Sequence, residues 1–316
     1  MPHDHAHADE HGHHHHSHAG HSHGPARHDR AFAIGVGLNT ALVAAQIVVG
    51  LLAGSMALLA DAVHNLGDVL GLMLSWCAEM LGRQGPTPGR TYGWGRTSIL
   101  ASLANAVLLL VSIGAIGVEA IRRLLAPTPV DARMVAVVAA AGLLVNGATA
   151  ALFMRGREGD LNLRSAFTHM AADAGLSAGV LVAALIISRT GAVWLDPLVS
   201  LGIVAVIGAG TWSLLKESAN LAMDAVPPNL DPDAIAAWLA SLPGVTEVHD
   251  LHVWALSTTE NAVTVHLVQA AEGASVTLVP TAAEGLKQRF GIGHATIQVE
   301  SAACAEVCLL RPAAVI

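Results

Sequence analysis

The sequence predicts an all-α membrane domain of six helices, followed by a small α+β domain with the element order αββαβ. Three observations support this: 53% of residues are hydrophobic and only 13% charged, apolar runs are long enough to cross a bilayer, and the composition becomes mixed after Lys216. Soluble proteins carry roughly 25% charged residues, so this chain has the composition of a membrane protein. The net charge of -8 argues against nucleic acid as a partner, since nucleic-acid binding needs clustered Lys and Arg.

Six apolar segments follow one another between residues 31 and 216. Each is near or above the roughly 20 residues that a helix needs to cross the hydrocarbon core of a bilayer. Turn-forming or charged residues separate them, as at Gly54 and Ser55. The segments cover residues 31–52, 56–81, 98–121, 131–154, 166–188 and 193–215.

The distribution of positive charge predicts the orientation of these segments. An even number of spans places both termini on the same side of the membrane. Nine Lys and Arg residues flank the spans on that side and four on the other. The positive-inside rule therefore predicts that both termini lie in the cytoplasm.

Residues 1–30 hold twelve of the eighteen histidines and have no apolar core, which is unlike a signal peptide. The four consecutive histidines at 13–16 could suggest an expression tag. However, histidines continue on both sides of this run, alternating with Asp, Ala, Gly and Ser. We interpret the segment as a disordered, metal-collecting tail.

Residues 217–303 predict a small soluble domain. Asp231 and Pro232 form a helix start, because Asp is a favoured N-cap and Pro suits the first turn. Strand-like runs follow at 245–256 and 261–270, then a helix at 275–290 and a last strand at 295–299. This order predicts helices on one face of a sheet, with residues 304–316 as a C-terminal tail.

Two of the membrane segments repeat the same pairing of a histidine with an aspartate. His64 and Asp68 are four residues apart in the second segment, as are His169 and Asp173 in the fifth. Residues at this spacing share one helix face, so two such helices would offer two nitrogens and two oxygens to one cation. That set suits tetrahedral zinc, and other divalent transition metals somewhat less well. Ionisable groups within a bilayer mark ion pathways, and their recurrence in two segments makes structural His–Asp pairing the weaker interpretation.

Asp61 lies three residues before His64 on the same helix face. It could line the entrance to such a site or tune His64. A polar role near the helix start is an equal alternative.

The soluble domain carries a second group of candidate ligands. Neighbouring strands could bring His249, His266 and Glu300 together, with His294 nearby, which predicts another metal site. Surface histidines without a metal are the alternative.

Three cysteines do not make a disulfide framework, and Cys77 lies in an apolar run. Cys304 and Cys308 could add soft ligands to the second site, although their spacing is not that of a zinc knuckle.

Together these features resemble the cation diffusion facilitator family, and most closely its bacterial zinc, cobalt and cadmium resistance branch. The resemblance rests on the two His-x-x-x-Asp pairs, the six spans, the histidine-rich tail and three further segments, and covers nearly all of residues 30–301. Those segments read Tyr-Gly-Trp-Gly-Arg at 92–96, Val-His-Asp-Leu-His-Val-Trp at 248–254 and Ala-Thr-Ile-Gln-Val-Glu at 295–300. The resemblance implies antiport in a bacterial inner membrane, with zinc, or cadmium or cobalt, leaving the cytoplasm in exchange for protons.

The resemblance also implies a homodimer, with a V-shaped membrane part and ferredoxin-like cytoplasmic domains that meet at its base. It assigns the transport site to His64, Asp68, His169 and Asp173, the cytoplasmic metal site to His249, His266, His294 and Glu300, and an interlock to Arg96 and Asp224.

Two departures from the family pattern bear on these assignments. The loop at 82–96 contains no histidine, so we expect the additional metal site of some relatives to be absent. Gln298 stands where some relatives carry a histidine, which weakens the case for two metals in the cytoplasmic site.

Two other function classes fit less well. An intramembrane metalloprotease needs a His-Glu-x-x-His helix, and the sequence has neither this motif nor an ATP-binding P-loop. A membrane-anchored metal sensor or store would not need polar pairs within two spans. We therefore expect a transporter and not an enzyme.

Overall fold

The computed structural model describes residues 28–154, 161–270, 275–306 and 308. Most of the histidine-rich tail, the connection at 155–160 and most of the predicted C-terminal tail lie outside the described residues. Six long helices precede the small domain in the described part of the chain. They are α1 (His28–Ala53), α2 (Met56–Gly82), α3 (Thr97–Leu125), α4 (Ala132–Phe153), α5 (Leu161–Thr190) and α6 (Leu195–Ala222).

Among the described residues, five helices, α2 to α6, are long and apolar enough to cross a membrane. The apolar stretch described in α1 is shorter, at Asn39–Ala53. Large apolar side chains such as Val111, Leu144 and Leu152 are exposed on the outer surface of the bundle, as expected for helices that face lipid. The chain is thus a multi-pass membrane protein.

The helices pack as neighbours along much of their length, α4 with α5 and α3 with α6. Helix α2 lies against α1 and α3 and meets α5 over only a short stretch. Small residues such as Ala57, Ala60 and Ala139 fill the buried core, which lets the helix backbones approach closely.

The end of the bundle opposite the soluble domain, here called the far end, is held by a buried cap. Ser55 caps α2 by accepting from the Leu58 amide at 3.1 Å, and its hydroxyl donates to Asp196 of α6. Asp196 also accepts from the Met56 amide at 2.6 Å. Arg123 of α3 donates to the Gly54 carbonyl at 2.6 Å. One set of hydrogen bonds therefore joins α2, α3 and α6.

The small α+β domain predicted after the membrane segments is confirmed. Its elements are α7 (Pro232–Ala240), β1 (Val245–Ala255), β2 (Asn261–Gln269), α8 (Ser275–Phe290), β3 (Ile292–Ser301) and α9 (Ala302–Glu306). Asp231 caps α7 by accepting from the Asp233 amide at 3.0 Å.

The three strands form one sheet in the order β1-β2-β3, with β1 antiparallel and β3 parallel to β2. His249 of β1 lies opposite His266 of β2. The apolar faces of α7 and α8 pack on the sheet through residues such as Leu239, Leu286 and Val265.

The loop between α2 and α3 touches the soluble domain directly. Arg96 pairs with Asp224 just after α6. The Thr258 amide, in the β1–β2 turn, donates to the Ser98 hydroxyl at 3.0 Å. Gly95 lies so close to this turn that an added Cβ would approach the Leu256 carbonyl oxygen to 2.9 Å. The position of the soluble domain is therefore linked to the ends of α2 and α3.

We expect Asp196→Ala to destabilise the protein more than Asp131→Ala. Asp131 is an exposed cap that serves only its own helix, α4, and its loss should cost about 1 kcal/mol. Loss of the buried Asp196 leaves the Ser55 hydroxyl and the Met56 amide without an acceptor, at about 1–3 kcal/mol for each group. Thermal unfolding in detergent measures the difference, and equal melting temperatures would contradict the shared-cap interpretation.

Candidate metal centres

The two His–Asp pairs of α2 and α5 converge where these helices meet. His64 Nε2 lies 3.2 Å from Asp173 Oδ1, and His169 Nε2 lies 3.3 Å from Asp68 Oδ2. Within each helix the corresponding separations are longer, 4.0 Å in α2 and 3.6 Å in α5. Each histidine therefore faces the acid of the other helix. Ligand atoms of His64, Asp68 and Asp173 all lie within 4.8 Å of one another, and His169 adjoins this group through its contacts with Asp68 and Asp173.

The four side chains differ in exposure along the membrane axis. Asp173 and His64, which are nearer the far end, are 2% and 17% exposed. Asp68 and His169, nearer the soluble domain, are 29% and 44% exposed. The group is thus open toward the side of the soluble domain and closed toward the far end.

A buried polar layer closes the group on that far side. Asp61, fully buried in α2, accepts hydrogen bonds on Oδ2 from Gln46 Nε2 at 2.7 Å and Ser177 Oγ at 3.1 Å. Asn65 donates to Gln46 Oε1 at 3.2 Å. Gly142 lets α4 approach this layer, since an added Cβ would lie 3.0 Å from Ser177 Oγ. Asp61 lies within α2 and not at its start, which leaves the lining and tuning roles.

A second group of candidate ligands lies on the sheet of the soluble domain. Ligand atoms of His249, His266, Glu300 and Cys308 all lie within 4.8 Å of one another. His266 Nδ1 is 3.1 Å from Glu300 Oε1 and 3.8 Å from Cys308 Sγ, and His249 Nε2 is 3.4 Å from Glu300 Oε2. The strand register produces this cluster, because His249 faces His266 across β1–β2 and Glu300 lies near the end of β3, opposite Val268 of β2.

His294 does not lie with this cluster. It pairs with Ala262 near the start of β3, and its ring contacts Tyr92 at a centroid distance of 5.3 Å. Six residues separate it from Glu300, about 20 Å along a strand. This placement corrects the expectation that His294 joins the site, because His294 and Glu300 lie toward opposite ends of β3.

The two tail cysteines also separate. Cys308 reaches the cluster, whereas Cys304 is exposed in α9 and its backbone amide bonds to Ser301.

The sequence interpretation missed Asp250. Its φ of +50° and a register shift between His249 and His252 mark an irregularity in β1. The Asp250 carboxylate lies 2.9 Å from His252 Nε2 and 3.5 Å from His266 Nε2. The Asp250 carboxylate can thus accept a hydrogen bond from Nε2 of His266, which leaves Nδ1 of that histidine to bind a metal ion. An aspartate between two strand histidines was the available signal, since Asp tolerates positive φ better than most residues.

The chain is similar in sequence to known cation efflux proteins. Residues 32–221 match the cation efflux transmembrane domain, and residues 227–302 match the cation efflux protein cytoplasmic domain. The metal cation efflux system protein CzcD of Cupriavidus metallidurans is 33% identical over 287 residues, 90% of this chain and 91% of that protein. The zinc transporter ZitB of Escherichia coli is 36% identical over 275 residues, 86% of this chain and 87% of that protein. The cadmium, cobalt and zinc/H(+)-K(+) antiporter of Bacillus subtilis is 31% identical over 290 residues, 90% and 93% of the two chains.

Proposed function

The chain belongs to the cation efflux family and exports divalent metal cations, and from this premise we propose a proton-coupled antiporter that carries zinc out of the cytoplasm. Cadmium and cobalt are its further substrates. One observation carries the proposal: ligand atoms of His64, Asp68 and Asp173 lie together between α2 and α5, and His169 contacts both of these acids. Two imidazole nitrogens and two carboxylate oxygens form a ligand set that zinc accepts in tetrahedral geometry. The names of the ZitB and Bacillus subtilis relatives support this range of metals, and the name of the CzcD relative supports efflux of metal cations.

Charge balance supports the exchange of metal for protons. Zinc needs neutral imidazoles and ionised carboxylates as ligands, so metal and protons compete for the same groups. Imidazole titrates near neutral pH, which suits histidines as proton carriers. Two carboxylates are neutralised either by one Zn²⁺ or by two imidazolium ions. The four ligand side chains and what they bind thus carry no net charge in either loaded state, which favours an exchange of one metal ion for two protons.

The transport path runs from the soluble domain toward the far end. In this proposal α1 also crosses the membrane, which brings the number of spans to six. Its 26 residues form a helix about 39 Å long at 1.5 Å per residue. Both termini and the soluble domain lie in the cytoplasm, and the membrane is the bacterial inner membrane. In this proposal the described conformation is open to the cytoplasm, which the greater exposure of His169 and Asp68 supports. The tail at residues 1–30 collects metal near this entrance.

The soluble domain senses cytoplasmic metal and joins two copies of the chain into a homodimer. We assign it the ferredoxin-like fold, and assign its metal site to His249, His266, Glu300 and Cys308. These side chains are largely buried, and their ligand atoms already lie together. The Arg96–Asp224 pair and the loop at 82–96 couple this domain to α2. Metal bound to the soluble domain therefore shifts the equilibrium between the conformations of the transport site.

We expect His64→Ala and Asp173→Asn to abolish zinc-driven proton movement in proteoliposomes, because each change removes a ligand and the charge balance of the site. Asp131→Asn, at the exposed far end of α4, is the matched control and should retain the flux. A pH-sensitive dye inside the vesicles reports the exchange. Wild-type flux in both site variants would refute the ligand assignment.

Cys308 and Cys304 provide a matched test of the cytoplasmic site. Cadmium bound to a thiolate has a near-ultraviolet charge-transfer absorption, so we expect this band in the full-length protein and in Cys304→Ser. The band should be lost in Cys308→Ser, and the affinity of this site for cadmium should fall at least about tenfold. The band would persist in Cys308→Ser and vanish in Cys304→Ser if the assignment of the two cysteines were reversed.

A further inference from the structure

Three buried polar atoms of α2 lack a hydrogen-bond partner among the described residues; Oδ2 of Asp68 faces His169, and the other two belong to the neighbouring Asp61 and His64. One of these two is Nδ1 of His64, whose Nε2 faces Asp173 and the other ligands. The other is Oδ1 of Asp61, whose Oδ2 is occupied by Gln46 and Ser177. A buried polar atom left without a partner costs about 1–3 kcal/mol. One of these atoms is a donor in the tautomer that metal binding requires, and the other is an acceptor.

The geometry of α2 places these two side chains next to each other on one helix face. Asp61 and His64 are three residues apart, so their Cβ atoms lie about 5–6 Å from each other on one helix face. Side chains of a helix lean toward its N-terminus, which directs the His64 ring back over the turn that contains Asp61. Asp61 itself is anchored from two other helices, by Gln46 of α1 and Ser177 of α5.

We propose that Asp61 is a positioning residue for transport: its Oδ1 accepts a hydrogen bond from His64 Nδ1–H when the metal ion is bound at Nε2. The inference rests on the proposed function and adds a residue to it. A histidine that binds metal through one nitrogen usually donates the other N–H to a carboxylate, carbonyl or water, which fixes its tautomer and orientation. The Asp61–His64 hydrogen bond keeps the Nε2 lone pair free for the ion. In the described structure Nε2 of His64 instead lies against Asp173. The Asp61–His64 hydrogen bond forms when the metal ion replaces this contact at Nε2.

The Asp61→Asn variant distinguishes the hydrogen bond to His64 from a general need for a polar side chain at position 61. Asparagine has one oxygen, and Gln46 and Ser177 both donate to the position of Oδ2. With its oxygen held there, the amide NH₂ of the variant faces His64 and selects the opposite tautomer, in which Nε2 carries the proton. That tautomer cannot bind a metal through Nε2.

The experiment measures zinc-driven proton flux at several zinc concentrations in proteoliposomes that contain the full chain. We expect Asp61→Asn to raise the KM for zinc about 10–100-fold. Asp131→Asn is the control, because this exposed cap of α4 lies at the far end, away from the ligands, and its KM should equal that of wild type. In a His64→Asp background the ligand has no second N–H, so Asp61→Asn should leave KM unchanged there. An equal loss in both backgrounds, whether of affinity or of folded protein, would show that Asp61 does not act through His64.

Solid-state ¹⁵N NMR of the histidine-labelled chain in lipid bilayers provides a second measurement that does not depend on activity. The His64 signals are those missing from the His64→Asp spectrum. With zinc bound, we expect a protonated Nδ1 and a zinc-shifted Nε2. A zinc-bound Nδ1 would overturn the proposal. If His64→Ala retains wild-type flux, the proposed function fails; if only Asp61→Asn behaves as wild type, the transport site stands and this inference alone fails.

Discussion

Two aspartates, Asp68 and Asp173, lie inside the membrane domain, and their negative charges must be compensated wherever water is excluded. Each lies next to the histidine of the facing helix, which allows a proton on the imidazole to balance the carboxylate. The same balance is reached when a divalent cation replaces the two protons. The need to avoid net charge in a medium of low dielectric thus links the choice of these residues to their pairing across α2 and α5.

The surrounding structure holds α2 at several points along its length. At the far end the Ser55–Asp196 cap ties it to α6, and at the other end Arg96 and Asp224 connect the following loop to the soluble domain. Between these points α2 meets α5 only over a short stretch, around the ligands. A contact this small allows α5 to move relative to α2 without disturbing the buried cap, as a transport cycle requires.

Several features were predictable because they depend on local spacing or composition. Apolar runs of membrane-spanning length marked the helices, and the four-residue spacing in α2 and α5 placed a histidine and an acid on one face of each helix. Asp231 was recognisable as a helix cap. In the soluble domain, alternation in β2 located that strand, but the parallel register of β3 was needed to show that Glu300 lies by His266 and that His294 lies elsewhere. Asp250 was missed because its role depends on an irregularity in β1.

The sequence by itself determined that the chain enters a membrane, that His64, Asp68, His169 and Asp173 lie on helix faces, and that a small α+β domain follows. These properties depend on hydrophobicity and on the periods of helix and strand, which are local. Only the tertiary structure decided that each histidine contacts the acid of the other helix, that Cys308 and not Cys304 reaches the soluble-domain cluster, and that Asp61 and His64 each retain a free buried atom. These contacts depend on how distant segments pack, and no local periodicity specifies the rotation of one helix against another.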